Sequence, residues 1–165
     1  IDAEWHETYA DQMRSPRDTS VYRTQDEVAQ ELFKAVSTGL EFLSDTRLGR
    51  PMGTFDRPRP ARAEVWRSAR SARHVALSLA ALHELAIILA GDDATVTAAL
   101  SDAFDRAEGR IARLDDPAFA GVSDPSGRFE IEVLQQSVDA IRAVVRDDLG
   151  PKLGVVAGFN ALDGD

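Results

Sequence analysis

Cysteine is missing from all 165 residues, and its absence excludes disulfides, thiolate zinc sites and a thiol nucleophile. Basic charge is scarce: 19 Lys and Arg stand against 28 Asp and Glu, a formal net charge of −9. Nucleic acid is therefore not an expected partner, because neutralising phosphates needs a basic face. Only Lys34 and Lys152 are lysines. The arginines that supply the rest of the positive charge suit bidentate pairing with carboxylate or phosphate, although a GC-rich genome produces the same bias. Alternating apolar runs bounded by turn residues are absent, so no strand is expected. No apolar run reaches the roughly 18 residues that span a bilayer; the most apolar stretch, 76–90, is interrupted by Ser78, His83 and Glu84. An initiating methionine is also lacking. Ile1 opens onto what reads as the interior of a helix, and the expectation is a fragment or processed chain whose N-terminal half lies upstream.

What the chain does have is helical periodicity. Trp5, Tyr9 and Met13 recur at i, i+4 and i+8, one face of a helix. Trp5, Tyr9 and Trp66 are expected to pack rather than to serve chemistry. Thr24-x-x-Glu27 is a capping box, opening a helix that buries Val28, Leu32, Val36, Gly39 and Leu43 and ends near Ser44. Leu48-Gly-Arg-Pro-Met-Gly then reads as a loop. Gly91-Asp92-Asp93 stops one helix and caps the next, in which Val96, Leu100, Ala103, Ala107, Ile111 and Leu114 share a face. Residues 115–127, broken by two prolines and two glycines, read as a loop. The cleanest period follows in Ile131, Leu134, Val138, Ile141, Val145 and Leu149, closed by Gly150-Pro151. One all-α domain, an up-and-down helical bundle, is the natural packing of such helices.

Residues 57–89 form the stretch around which the others are expected to organise. Set on one helical wheel, Glu64, Ser68 and Ser71 continue the apolar stripe of Val75, Leu79, Leu82 and Ala86, with Arg67 on the flank. Buried polar groups cost about 1–3 kcal/mol each when unpaired, so this cluster must find partners. On the wheel Arg67 can pair with Glu64 one turn away, whereas Arg70 and Arg73 point elsewhere. Glu64, Arg67, Ser68, Arg70 and Ser71 are thus the candidate site residues. The same pairs at i, i+3 and i, i+4 also serve as purely structural networks. His74 and His83 read as interfacial packing residues rather than ligands, and no serine is set beside a histidine with an orienting acid.

The tail, LGVVAGFNALDGD, is too apolar to stay in water and too glycine-rich for a helix. Val155, Val156, Phe159 and Leu162 are expected to tuck into the bundle, leaving Asp163 and Asp165 at the surface. Asn160, Asp163 and Asp165 do not follow the spacing of an EF-hand loop.

Two stretches, AEVWRSARSARHVALSLAAL and LGVVAGFNALDGD, resemble the second half of the imelysin family, the peptidase M75 group. Glu64-x-x-Arg67-Ser68-x-Arg70-Ser71 and the closing Gly-Phe-Asn-Ala-Leu-Asp-Gly-Asp carry the likeness most specifically. The resemblance implies the second bundle of an all-α, two-bundle protein of the periplasm or cell envelope of a Gram-negative bacterium, exported and in some members a lipoprotein. It also implies a link to iron uptake and a disputed peptidase activity. The family's Gly-x-His-x-x-Glu motif, proposed to bind metal, is absent here. Its nearest echo is Val36-x-Thr38-x-x-Glu41, with threonine in the histidine position. Glu41, Asp163 and Asp165 are the carboxylates left as metal candidates, and iron or another divalent metal would be held together with the missing N-terminal half. Neither His-Glu-x-x-His nor the Glu-x-x-His of di-iron bundles occurs. Two functions follow as expectations. One is a non-catalytic binding or accessory protein for metal uptake; the other is a metal-dependent peptidase whose metal motif lies upstream. The expected partner is the N-terminal half or a second copy, with membrane attachment only through an upstream lipid anchor.

Overall fold

A computed structural model describes residues 2–18 and 20–155, and five helices account for most of them. Helix α1 joins Asp2–Glu4, a π-helical turn Trp5–Tyr9 and Ala10–Arg14. Helix α2 runs through Gln25–Glu41, a π-helical segment Phe42–Leu48 and a final turn Gly49–Met52. Helices α3, Ser71–Ala90, and α4, Ala94–Arg113, are regular throughout. Helix α5 joins Pro125–Val144, a π-helical turn Val145–Leu149 and Gly150–Lys152. Among the described residues there is no strand, only an isolated bridge between Thr54 and Arg57.

The helix starts follow from side chains that take up orphan N–H groups. Thr24 Oγ1 accepts from Glu27 N at 3.2 Å, while the Glu27 carboxylate accepts from Arg23 N at 2.6 Å, one residue before the usual return bond of a capping box. Asp93 accepts from the amides of Thr95 and Val96, and Asp124 from those of Ser126 and Gly127, with Pro125 in the first turn. Helices α2 to α5 then run alternately up and down. Gly39 faces Leu82, His83 stacks on Phe104, and Ser44 bonds Asp139, contacts that set α2 against α3, α3 against α4, and α5 back against α2. Leu40, Leu79, Leu100, Phe104, Leu134 and Ile141 are fully buried between them. The expected stripes of α4 and α5 are buried except Leu114, which is half-buried. Lys152 Nζ closes the bundle by donating to Leu89 O at 2.9 Å, at the C-terminal end of α3 where a cation is favoured.

Helix α2 does not stop near Ser44. Its buried apolar residues step by five from Leu43 to Leu48, with Ser44 buried between them, a step that would turn the apolar stripe away from the core in an α-helix. The widened π segment absorbs the extra residue, with Gly49 N bonding Ser44 O. The helix therefore continues past Gly49 and Pro51 and ends at Gly53, whose φ of 55° and ψ of −135° suit glycine alone. A Cβ there would lie 2.5 Å from Arg57 O.

The second departure is larger. Residues 57–70 are not the first half of the organising helix. They form two short 3-10 turns, Pro60–Arg62 and Trp66–Ser68, joined by an extended residue, and α3 begins only at Ser71. Val65 and Ala69 flank the second turn with φ of 53° and 52°. Left-handed backbone at a β-branched residue is costly, on the order of 1–3 kcal/mol. Once shortened, α3 is still long and apolar enough, by length and composition, to cross a membrane. Here it is the shared helix of the bundle, with Val75, Leu79 and Ala86 wholly buried.

Aromatic packing also differs from expectation. Trp5, Tyr9 and Trp66 are 47 %, 43 % and 37 % exposed. Helix α1 meets the start of α2 at its last turn, where Gln25 Nε2 donates to Arg14 O at 3.1 Å and Ala10 is buried, while Trp5 and Tyr9 stack on each other and stay exposed. Val155 is half-buried beyond α5. The expectations for Val156, Phe159, Leu162, Asp163 and Asp165 fall outside the described residues.

Candidate functional site

Because 57–70 is not helical, the wheel that grouped five polar residues no longer holds. The backbone brings two of them, Glu64 and Ser71, to the seam between α2 and α3. Ser71 is buried in the first turn of α3 and donates through Oγ to Glu64 O at 2.6 Å. The Glu64 carboxylate meets Arg47, not Arg67: Arg47 Nε donates to Glu64 Oε2 at 2.6 Å. Arg47 also donates to Ser78 Oγ and to His74 O, and its guanidinium lies over the Phe42 ring at 5.2 Å. His74 Nδ1 stands 3.9 Å from the same Glu64 oxygen. Arg47 is 18 % exposed and Glu64 43 %, so the arginine is the inner member and the carboxylate faces the water.

Arg67, Ser68 and Arg70 are exposed and do not join Glu64. Arg67 stacks on Trp66 at 4.6 Å, Ser68 Oγ donates to Val65 O at 2.9 Å, and Arg70 supplies the residue before α3. The expected Glu64–Arg67 pair fails for a simple reason. The two left-handed residues reverse the chain after Glu64, so positions three apart are no longer one helical turn apart. Glu41 lies on α2 and is half-buried. Thr38, at the position answering the histidine of the family motif, has its Oγ1 buried without a hydrogen-bond partner.

Sequence reasoning missed Arg47, Ser78 and His74 as members of the cluster. No local spacing could have shown Arg47, which lies 17 residues before Glu64 and is aimed at it by the π segment of α2. A groove of about 340 Å³ opens elsewhere, between the end of α2 and the start of α5. Its Arg128 is already engaged, donating to Met52 O and to Glu132, each at 2.7 Å, and so caps α2.

These side chains can present a fixed carboxylate beside a guanidinium. Ser71 and Ser78 are bonded to a carbonyl and an arginine rather than to His74, so no serine–histidine pair forms in the cluster. A family model described as Imelysin, of the peptidase M75 group, matches residues 1–145. The chain belongs to the imelysin family. No curated protein and no solved structure matches it. An imelysin chain built as one up-and-down bundle thus carries a hydrogen-bonded polar cluster on α2, α3 and the strained connector between them.

Proposed function

We propose that this imelysin-family chain is a non-catalytic binding or accessory protein of the Gram-negative cell envelope, serving the uptake of iron or another metal. In this reading it works as the second bundle of a two-bundle protein, or as a self-associating copy of itself, with Glu64 offered to the ligand. The observation that carries the reading is the way Glu64 is held. Val65, in left-handed backbone, follows it directly, Ser71 fixes its carbonyl, and Arg47 fixes one carboxylate oxygen. Strained backbone persists where the surroundings over-determine it, and such places concentrate at binding sites. The carboxylate can join a metal shell, and the arginine can hold an anion that accompanies the metal.

The test is calorimetric titration of the longest natural form of the protein with iron(II) and with phosphate, beside thermal melts of wild type and Glu64→Gln. Glutamine still accepts from Arg47, so the variant should keep its melting temperature within a few degrees and lose affinity at least tenfold. A variant that melts far lower yet binds as wild type makes the cluster scaffold. Chelator-sensitive cleavage of a protein substrate by wild type establishes the peptidase reading instead.

A further inference from the structure

A second polar cluster sits on the opposite seam of α3, against α4, and nothing in the reading of Glu64 depends on it. His83 on α3 faces Asp105 and Glu108, three residues apart on α4, and one ligand atom from each lies within 4.8 Å of the others. His83 Nδ1 is already 3.2 Å from Glu108 Oε1. Two atoms bound to one metal at about 2.1 Å each stand roughly 3.0–3.4 Å apart, so this pair is spaced as neighbouring ligands. Asp105 is exposed and free to close the remaining gap by rotating its side chain.

Two further features favour a cation here. The imidazole lies flat on Phe104, with centroids 4.6 Å apart and planes 3° from parallel, and Phe104 is wholly buried. The ring that would bind is therefore oriented by the core, and little ordering is left to be done on binding. Charge is the second feature. Asp105 and Glu108 bring two carboxylates together, and among the described residues neither is paired with an arginine or a lysine. We propose that His83, Asp105 and Glu108 form a three-ligand site for a divalent first-row transition-metal ion, with water completing the shell. The imidazole selects this class over calcium and magnesium, which prefer oxygen alone.

The experiment uses the full chain, zinc(II) as probe, calorimetry, and NMR of the histidine side chains. Zinc should bind one-to-one, raise the melting temperature, and shift the imidazole signals of His83 while leaving His6 and His74 in place. His83→Gln and Glu108→Gln should each weaken binding by more than the roughly 10–100-fold typical of losing a mere outer-shell partner. Asp105→Asn, at an exposed position, gives the same comparison should His83→Gln fail to fold. Glu64→Gln should bind zinc as wild type does, which separates this site from the one proposed above. Absence of zinc binding, perturbation of His74 or His6 instead of His83, or loss of binding only on Asp163→Asn or Asp165→Asn would each overturn the proposal.

Discussion

The two seams of α3 hold polar clusters of similar size and opposite electrical character. On the α2 side, Glu64 has its own cation: Arg47 reaches it at 2.6 Å, and the donors left over go to Ser78 and the His74 carbonyl. On the α4 side, His83, Asp105 and Glu108 gather acceptors with no arginine or lysine among the described residues to meet them. The first cluster has its charge matched within the protein and holds the half-exposed Glu64 carboxylate in place for a ligand. The second has carboxylates that no cation among the described residues matches, so the contrast is between a ligand group positioned by a partner and ligand groups that await one.

The largest effect should come from the floor of the α4 seam. Phe104→Ala removes a wholly buried ring, a loss of about 3–5 kcal/mol. That predicts a melting temperature lower by roughly 10 °C, together with a loosened His83 ring. Loss of stability with His83 still immobile by NMR would separate the core from the site. Next comes Arg47→Met on the α2 seam, which keeps the stem and deletes the charge. With hydrogen bonds to charged groups worth about 1.5–3 kcal/mol, and Glu64 able to rehydrate at 43 % exposure, a loss near 2 kcal/mol is expected in chemical denaturation.

Glu108→Gln should cost less still in metal-free protein, within about 0.5 kcal/mol, because it removes an acceptor from a surplus. If it destabilises as much as Arg47→Met, the two seams are alike and the comparison fails. The smallest effect belongs to Arg146–Asp147, an exposed surface pair that calibrates the others. The hydrogen bond from Arg146 lowers the Asp147 pKa from its ordinary 3.8. Its contribution is therefore present above that value and disappears as pH falls through the lowered one. Melts of Asp147→Asn should match wild type within error at neutral pH and coincide with it in acid.

The bundle was legible because period and caps agree. The stripe from Ile131 to Leu149, the Thr24 capping box and the Asp93 cap all appear where the spacing puts them. The candidate site was legible only in its residue types. Reading 57–89 as one helix placed Ser68 and Arg67 beside Glu64, whereas left-handed Val65 and Ala69 turn them away. A β-branched residue gives no sequence warning of that conformation. The extension of α2 had a sign, the five-residue step from Leu43 to Leu48, but Gly49 and Pro51 spoke more loudly for a loop. The His83 cluster was hidden because its ligands are divided between helices, and only packing shows which faces meet.

The π segment of α2 makes this part of the chain unequal in its tolerance of changes in length. Losing one residue between Leu43 and Leu48 would restore ordinary α-helical bonding and turn the five-residue step into four. Leu48 and Met52 would then stay on the core face, in a helix one residue shorter. Gaining one residue there would add about 100° of turn beyond what the π segment absorbs, swinging Leu48 and Met52 from the core and Arg47 from Glu64. Like a ratchet, the segment gives in one direction and catches in the other. Among natural variants of this chain, single-residue losses within Phe42–Leu48 should outnumber gains.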